Sequence, residues 1–201
     1  EWKHRHQVRE RLVGGRIAFR AAQGSLAFNY LRMDWRGRLV QQLPHYGYLR
    51  EAHELSYLQH FSLDYRMTSL SGQWLSAGEM ALSSRGGKAA LAYVRYRDPD
   101  RGDYTLSGRY LSPSYMAPLG NTPSRFAYPG NEMGCYMAAH LPLLDQLDLL
   151  LSWDVYRSLV VRKGEEAPSR GGLLGVRARY AFSSQCLLYT QYRMHYEQNK
   201  G

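Results

Sequence analysis

The sequence predicts an all-β protein: an antiparallel up-and-down meander of about ten strands, part of a transmembrane outer-membrane β-barrel. Three observations predict it. Polar and apolar residues alternate with period two along most of the 201 residues, and helical periodicity is nearly absent. The links between strands alternate, with one exception, between short and long. Aromatic residues collect toward the two ends of each oily face and leave an aliphatic band between them, where a soluble sandwich would bury its largest rings at mid-face.

Composition narrows the choice. Hydrophobic residues make up 44% of the chain, enough to fold, yet its longest apolar run, LPLLDQLDLLLSWDV, is broken by Asp145, Asp148 and Asp154. No uncharged window of about 20 residues exists for a membrane helix. Barrel strands need only about 9 to 11 residues each, every second one apolar. Seventeen tyrosines and four tryptophans suit a boundary between an apolar and a polar medium. The net charge of +9 is expected to sit on solvated or lumen-facing arginines, with membrane lipid, including acidic outer-leaflet headgroups, as the partner and nucleic acid not expected for this segment. The chain begins at Glu1 without a basic start or apolar core, so any secretion signal is expected to lie outside it.

Each strand repeats the same division. The first (11–20) turns Ile17 and Phe19 outward and Arg16 and Arg20 inward. The second (25–35), LAFNYLRMDW, alternates poorly. The third (54–68) sets Tyr57, Leu63 and Tyr65 against His60, Asp64 and Arg66, and the fourth (73–83) sets Trp74, Gly78 and Met80 against Glu79. The fifth (88–97) turns Ala92 and Tyr96 outward and Arg95 and Arg97 inward; the sixth (103–111) opposes Tyr104, Leu106 and Tyr110 to Arg109. The seventh (132–142) has Met137 outward without a terminal aromatic, and Glu132 and His140 inward. The eighth (146–156) turns Leu149, Leu151 and Trp153 away from Asp148 and Asp154. The ninth (173–182) divides Val176, Ala178 and Phe182 from Arg177 and Arg179, and the tenth (186–196) divides Leu188, Tyr192 and Tyr196 from Arg193 and His195. The inward residues are predicted to line a lumen. Phe19, Tyr65, Trp74, Tyr96, Tyr104 and Phe182 are predicted to form an aromatic girdle at the short-turn rim, and Tyr57, Tyr110, Trp153, Tyr192 and Tyr196 a second at the long-loop rim.

The links AAQG, SLSG, DPDRG, LLDQ and SSQ are short, whereas those after the second, sixth and eighth strands are long. Only SRGGK breaks the alternation. The loop SPSYMAPLGNTPSRFAYPGN holds four prolines, two glycines and two asparagines, a rigid, turn-rich composition expected to fold over or into a barrel mouth. Its Tyr115, Phe126 and Tyr128 are expected to pack the loop against the wall.

DYR, AGEMALSSRGGKAAL and YLSPSYMAPLGNTPSRFAYPGNEMGCYM together resemble the C-terminal barrel of the helix-hairpin-helix-containing outer-membrane proteins of Bacteroidota. The resemblance implies an outer-membrane location and a periplasmic pair of DNA-binding-like units upstream. It implies almost nothing about activity.

Candidate chemistry is sparse. Opposite charges on adjacent strands are expected to pair across the wall, and the excess of arginine favours anions at any constriction. His140, Asp148 and Ser152 share one wall, but a histidine beside an aspartate in a polar lumen reads as an ion pair and no oxyanion donor is evident. No catalysis, cofactor or metal site is expected: CxxC, HExxH and calcium-loop spacings are all missing. Cys135 and Cys186, on oily faces three strands apart, are expected to be free thiols. The first strand enters from the long-loop rim and the tenth returns to it. A usual barrel has both termini on the short-turn side, so the 201 residues are expected to be one incomplete barrel domain with a strand or more lacking at each end.

Overall fold

A computed structural model describes residues 9–39, 55–84, 86–117, 123–125, 130–161, 165–183 and 185–198. They form ten strands: β1 (Arg9–Ala21), β2 (Gly24–Leu39), β3 (Leu55–Thr68), β4 (Trp74–Ser83), β5 (Lys88–Asp98), β6 (Gly102–Leu111), β7 (Glu132–Leu144), β8 (Leu147–Arg157), β9 (Arg170–Ala181) and β10 (Leu187–Gln198). All belong to one sheet in sequence order, every neighbour antiparallel, and β1 and β10 are not paired with each other. Strand bounds agree with the period-two reading to within a few residues, the largest difference being β2, which runs on to Leu39. β9 starts at Arg170, and Phe182 and Cys186 lie in the turn between β9 and β10 instead of on the strands. Both cysteines are free.

Register fixes the faces. Because directly opposed residues point to the same side, the pairing carries one polar face through all ten strands. The line Ala18–Ala27–Asp64–Glu79–Leu91–Arg109–Gly134–Tyr156–Gly171–Glu197 lies on it. The neighbouring line, from Phe19 through Leu26, Tyr65, Gly78, Ala92, Gly108, Cys135, Val155 and Gly172 to Tyr196, lies on the apolar face. It begins two residues from the short-turn end of β1 and finishes nine from that of β10. A slip of about seven residues over nine strand steps is about 23 Å against about 43 Å, which tilts the strands by roughly 30°, approaching what closure of a sheet requires.

The apolar face is the more exposed of the two. Phe19, Ile17, Trp74, Met80 and Tyr192 are all more than half exposed on the apolar face, whereas Arg109, Glu132 and Asp154 are buried on the polar one. Between the short-turn rim and a height of about eight residues, about 26 Å along a strand, no described side chain of the apolar face is charged. Arg11, Arg32, Asp34, Lys88, Arg157 and Arg170 lie at or above that height, and Asp98 lies at the short-turn end.

The core of buried apolar side chains sits on the polar face. Met33, Trp35, Leu58 and Met116 cluster there, with Leu31 packed against them. This accounts for the poor alternation of β2. Its inward residues Leu31, Met33 and Trp35 are apolar because the segment after β6 folds down onto them and places Met116 in their midst, so both faces of β2 are covered by or offered to apolar matter.

Candidate functional site

All seventeen residues predicted to line a lumen share the polar face: Arg16, Arg20, His60, Asp64, Arg66, Glu79, Arg95, Arg97, Arg109, Glu132, His140, Asp148, Asp154, Arg177, Arg179, Arg193 and His195. Period two determines this, since one consistent register carries the alternation from strand to strand. Which residues pair is a separate matter. Arg16 on β1 reaches over β2 to Asp64 on β3 (2.7 and 2.9 Å), and Asn29 on the strand between donates to the same carboxylate at 2.8 Å. Asp103 on β6, absent from the sequence reading, accepts from Arg95 and Arg97, each at 2.9 Å. It is the first residue of the strand predicted over 103–111, beside the DPDRG turn. Arg179 donates to Asp148 at 2.7 Å, and His140 Nε2 lies 3.6 Å from that same carboxylate. Ser152 donates instead to the Gly175 carbonyl, away from the His140–Asp148 pair.

The most buried charges form a latch at the long-loop end. Arg109 on β6 donates from Nε to Glu132 on β7 (2.5 Å) and from NH1 to Asp154 on β8 (2.7 Å). The loop after β6 returns to the same carboxylates: Ser124 Oγ and the Arg125 backbone N–H donate to Glu132 at 2.7 and 2.8 Å, and Arg125 Nε to Asp154 at 2.5 Å. Every carboxylate oxygen in the cluster is thereby engaged, as buried charges require. Gly134 makes room for it. A Cβ there would stand 2.5 Å from Arg109 Cζ, so the guanidinium lies against bare backbone.

Asn131 pins the neighbouring loop. Its φ of 57° is the left-handed conformation that asparagine tolerates. From it the side chain accepts from the N–H groups of Leu159 and Val160 (3.0 and 2.8 Å) and donates to the Val160 carbonyl (3.0 Å). Asn131, Glu132 and Gly134 of the NEMG stretch are therefore a single device that straps the β6–β7 and β8–β9 loops together. Ser112 anchors the start of the strap, accepting from the Lys88 N–H at 2.7 Å and donating its own N–H to the Lys88 carbonyl at 2.8 Å. Gly87 has Ser114 and Tyr115 backbone within 2.5 Å of where a Cβ would sit, so the strap crosses the β4–β5 turn closely.

Tyr115 packs edge-on against His60 with centroids 6.0 Å apart; Phe126 and Tyr128 lie outside the described residues. Burial raises the Tyr115 phenol above its ordinary pKa, with the nearby Glu79 carboxylate adding to the effect. Beneath it is a cavity of about 370 Å³ that Arg16, Asn29, His60, Asp64 and Glu79 line together with Leu31 and Met33. Arg20, Arg66, Arg177 and Arg193 meet no carboxylate among the described residues. The polar face therefore carries unneutralised positive charge on β1, β3, β9 and β10. Among the described residues no group of three or more His, Cys, Asp or Glu is placed to hold a metal ion.

The predicted girdle residues Phe19, Tyr57, Tyr65, Trp74, Tyr96, Tyr104, Tyr110, Trp153, Tyr192 and Tyr196 all lie on the opposite face, Tyr57 beside Asp34 and beneath the Arg32 guanidinium at the rim. Phe182 packs edge-on against Tyr180 at 4.7 Å beside the turn. Trp74, Tyr96 and Tyr104 form a row across β4, β5 and β6 with centroid spacings of 4.6 and 6.4 Å. The hydroxyls of Tyr104 and Tyr180 donate toward the turns, to the Arg101 carbonyl and Gln146. The band between the girdles is not purely aliphatic: Phe28, Tyr30 and Phe61 cluster within it on β2 and β3. No family model, curated protein or solved structure matches this chain.

Proposed function

We propose that this chain forms part of the wall of a β-barrel embedded in a bacterial outer membrane, its polar face lining an aqueous interior that admits small anionic solutes. One observation carries the reading: the exposed face is apolar and free of charge over about 26 Å of strand, close to the height of the lipid-facing band of such barrels, while the charges are gathered and paired on the other face. The arginines without carboxylate partners favour anions in that interior. Vesicle-reconstituted full-length protein tests both parts. Lipids brominated along their chains are expected to quench Trp74 and Trp153 but not Trp35, and planar-bilayer currents are expected to reverse toward anion selectivity. Uniform quenching of Trp35, Trp74 and Trp153, or extraction into buffer without detergent, refutes the membrane reading; insertion without conductance refutes passage.

The strap favours a second role. With the β6–β7 loop latched across the polar face at its long-loop end, the interior is narrowed there, and a narrowed barrel serves as a membrane anchor for whatever precedes it in the full-length protein. Helix-hairpin-helix sequence upstream in the complete gene would support an anchored nucleic-acid-binding domain; its absence there would remove this role.

A further inference from the structure

We propose that the apolar face carries a binding site for a lipid with a net-negative phosphate head group, at the long-loop end of β7 to β10. The inference rests on the membrane reading above and goes beyond it by naming the lipid class and the residues. Arg157 on β8 and Arg170 on β9 are direct register partners, both on the apolar face. Like charges directly opposite one another are unfavourable, and neither meets a carboxylate among the described residues. Arg170 is held from Nε and NH2 by the Gln198 amide oxygen (2.8 and 2.6 Å), and Arg157 lies against Met133 Sδ (3.1 Å). Arg157 is thus drawn toward β7 and Arg170 toward β10, so the two guanidiniums flank the surface between them. A phosphate, which takes guanidinium forks bidentately, is the group that relieves this arrangement.

Below the pair the apolar face opens into a groove of about 660 Å³ walled by Met133, Cys135, Val155 and Tyr196. Gly172 lies under the Tyr196 wall of the groove. It points outward, and a Cβ there would fall 2.6 Å from the Tyr196 ring, which therefore lies flat across the strand. A free phosphate makes no use of such a groove, and an acidic peptide would leave it wet. An acyl chain fills it while its head group meets the arginines, and the groove is continuous with the face already read as lying in lipid. Arg32 at the same rim does not compete, because Asp34 neutralises it at 2.8 Å.

The test uses full-length protein carrying Tyr196→Trp as a reporter, with Trp74 and Trp153 replaced by phenylalanine, in vesicles of phosphatidylcholine doped with brominated phosphatidylglycerol or brominated phosphatidylcholine. Preferential quenching by the brominated phosphatidylglycerol is expected. In Arg157→Gln/Arg170→Gln the preference should fall by roughly thirty-fold, toward none, with insertion unchanged. Gly172→Leu, which displaces the residue-196 wall of the groove and keeps both arginines, should lose the preference too. Equal quenching by both lipids, or a preference that survives the double substitution, overturns the proposal while leaving the membrane reading intact. A preference abolished by soluble glycerol phosphate and untouched by Gly172→Leu overturns it in favour of a bare phosphate site. Protein that does not enter vesicles at all refutes the membrane reading and this site with it.

Discussion

An alanine at Gly134 tests whether the latch holds the strap to the polar face. The new Cβ would stand 2.5, 2.6 and 2.9 Å from Cζ, NH2 and NH1 of Arg109. Recovering an ordinary contact of about 3.5 Å moves the guanidinium back by about 1 Å. Its bonds to Glu132 and Asp154, 2.5 and 2.7 Å long, then stretch out of hydrogen-bond range. Glu132 is fully buried and Asp154 nearly so, so neither carboxylate recovers its loss from water. Breaking a buried pair of this kind costs about 3–5 kcal/mol, and replacing a strand glycine by alanine returns about 0.5–1 kcal/mol, leaving a net destabilisation of about 2–4 kcal/mol. Gly108→Ala is the matched control: the residue faces the other way on β6 and its Cβ would meet nothing within 4 Å. Equilibrium urea unfolding in vesicles, followed by tryptophan fluorescence, compares the two, with limited proteolysis reporting on the 112–117 strap. If Gly134→Ala unfolds within about 0.5 kcal/mol of Gly108→Ala, inside the spread of ordinary surface changes, and its strap is no easier to cleave, the latch does not hold the loop.

Further expectations follow from the same geometry. Asn131→Asp keeps the acceptor for the Leu159 and Val160 N–H groups but loses the donor to the Val160 carbonyl, whereas Asn131→Ala loses all three bonds; proteolysis of the 158–161 segment should rise modestly in the first and strongly in the second, and equal rates would refute the pinning. Met116→Ala removes the loop's plug from the Met33, Trp35 and Leu58 cluster, at a cost of about 2–4 kcal/mol, and should red-shift the Trp35 emission; an unshifted spectrum would mean the strap does not cover it. Because the folded-state pKa of Tyr115 is raised, the stability it contributes is full below its unfolded value of about 10 and is lost as pH rises through the higher folded value. Strap cleavage should therefore accelerate at alkaline pH in the wild type and less in Tyr115→Phe. Replacing Arg20, Arg66, Arg177 and Arg193 together by glutamine should abolish anion selectivity in bilayer recordings; unchanged selectivity would place the selecting charges elsewhere.

Much of this architecture was already readable in the order of residues. Ten strands, their near-true bounds and the side each strand residue faces follow from period two and turn chemistry, which are local properties of a chain. His60, Asp64 and Arg66 could be assigned to one face without knowing what lay beside them. What they touch could not be assigned. Arg16 meets Asp64 by reaching over β2, and Arg109 meets Asp154 by reaching over β7, contacts that depend on register accumulated over successive strands. The apolar inward stretch of β2 looked like failed alternation because its cover, Met116, arrives from the far side of four strands. Likewise Asn131, Glu132 and Gly134 stood out as a motif, but their joint purpose needed the loop folded back onto Arg109. Sequence alone determined the faces because side-chain direction alternates residue by residue; only the tertiary structure decided the partners, because burial and pairing of charge depend on which distant strands and loops the fold brings within about 3 Å.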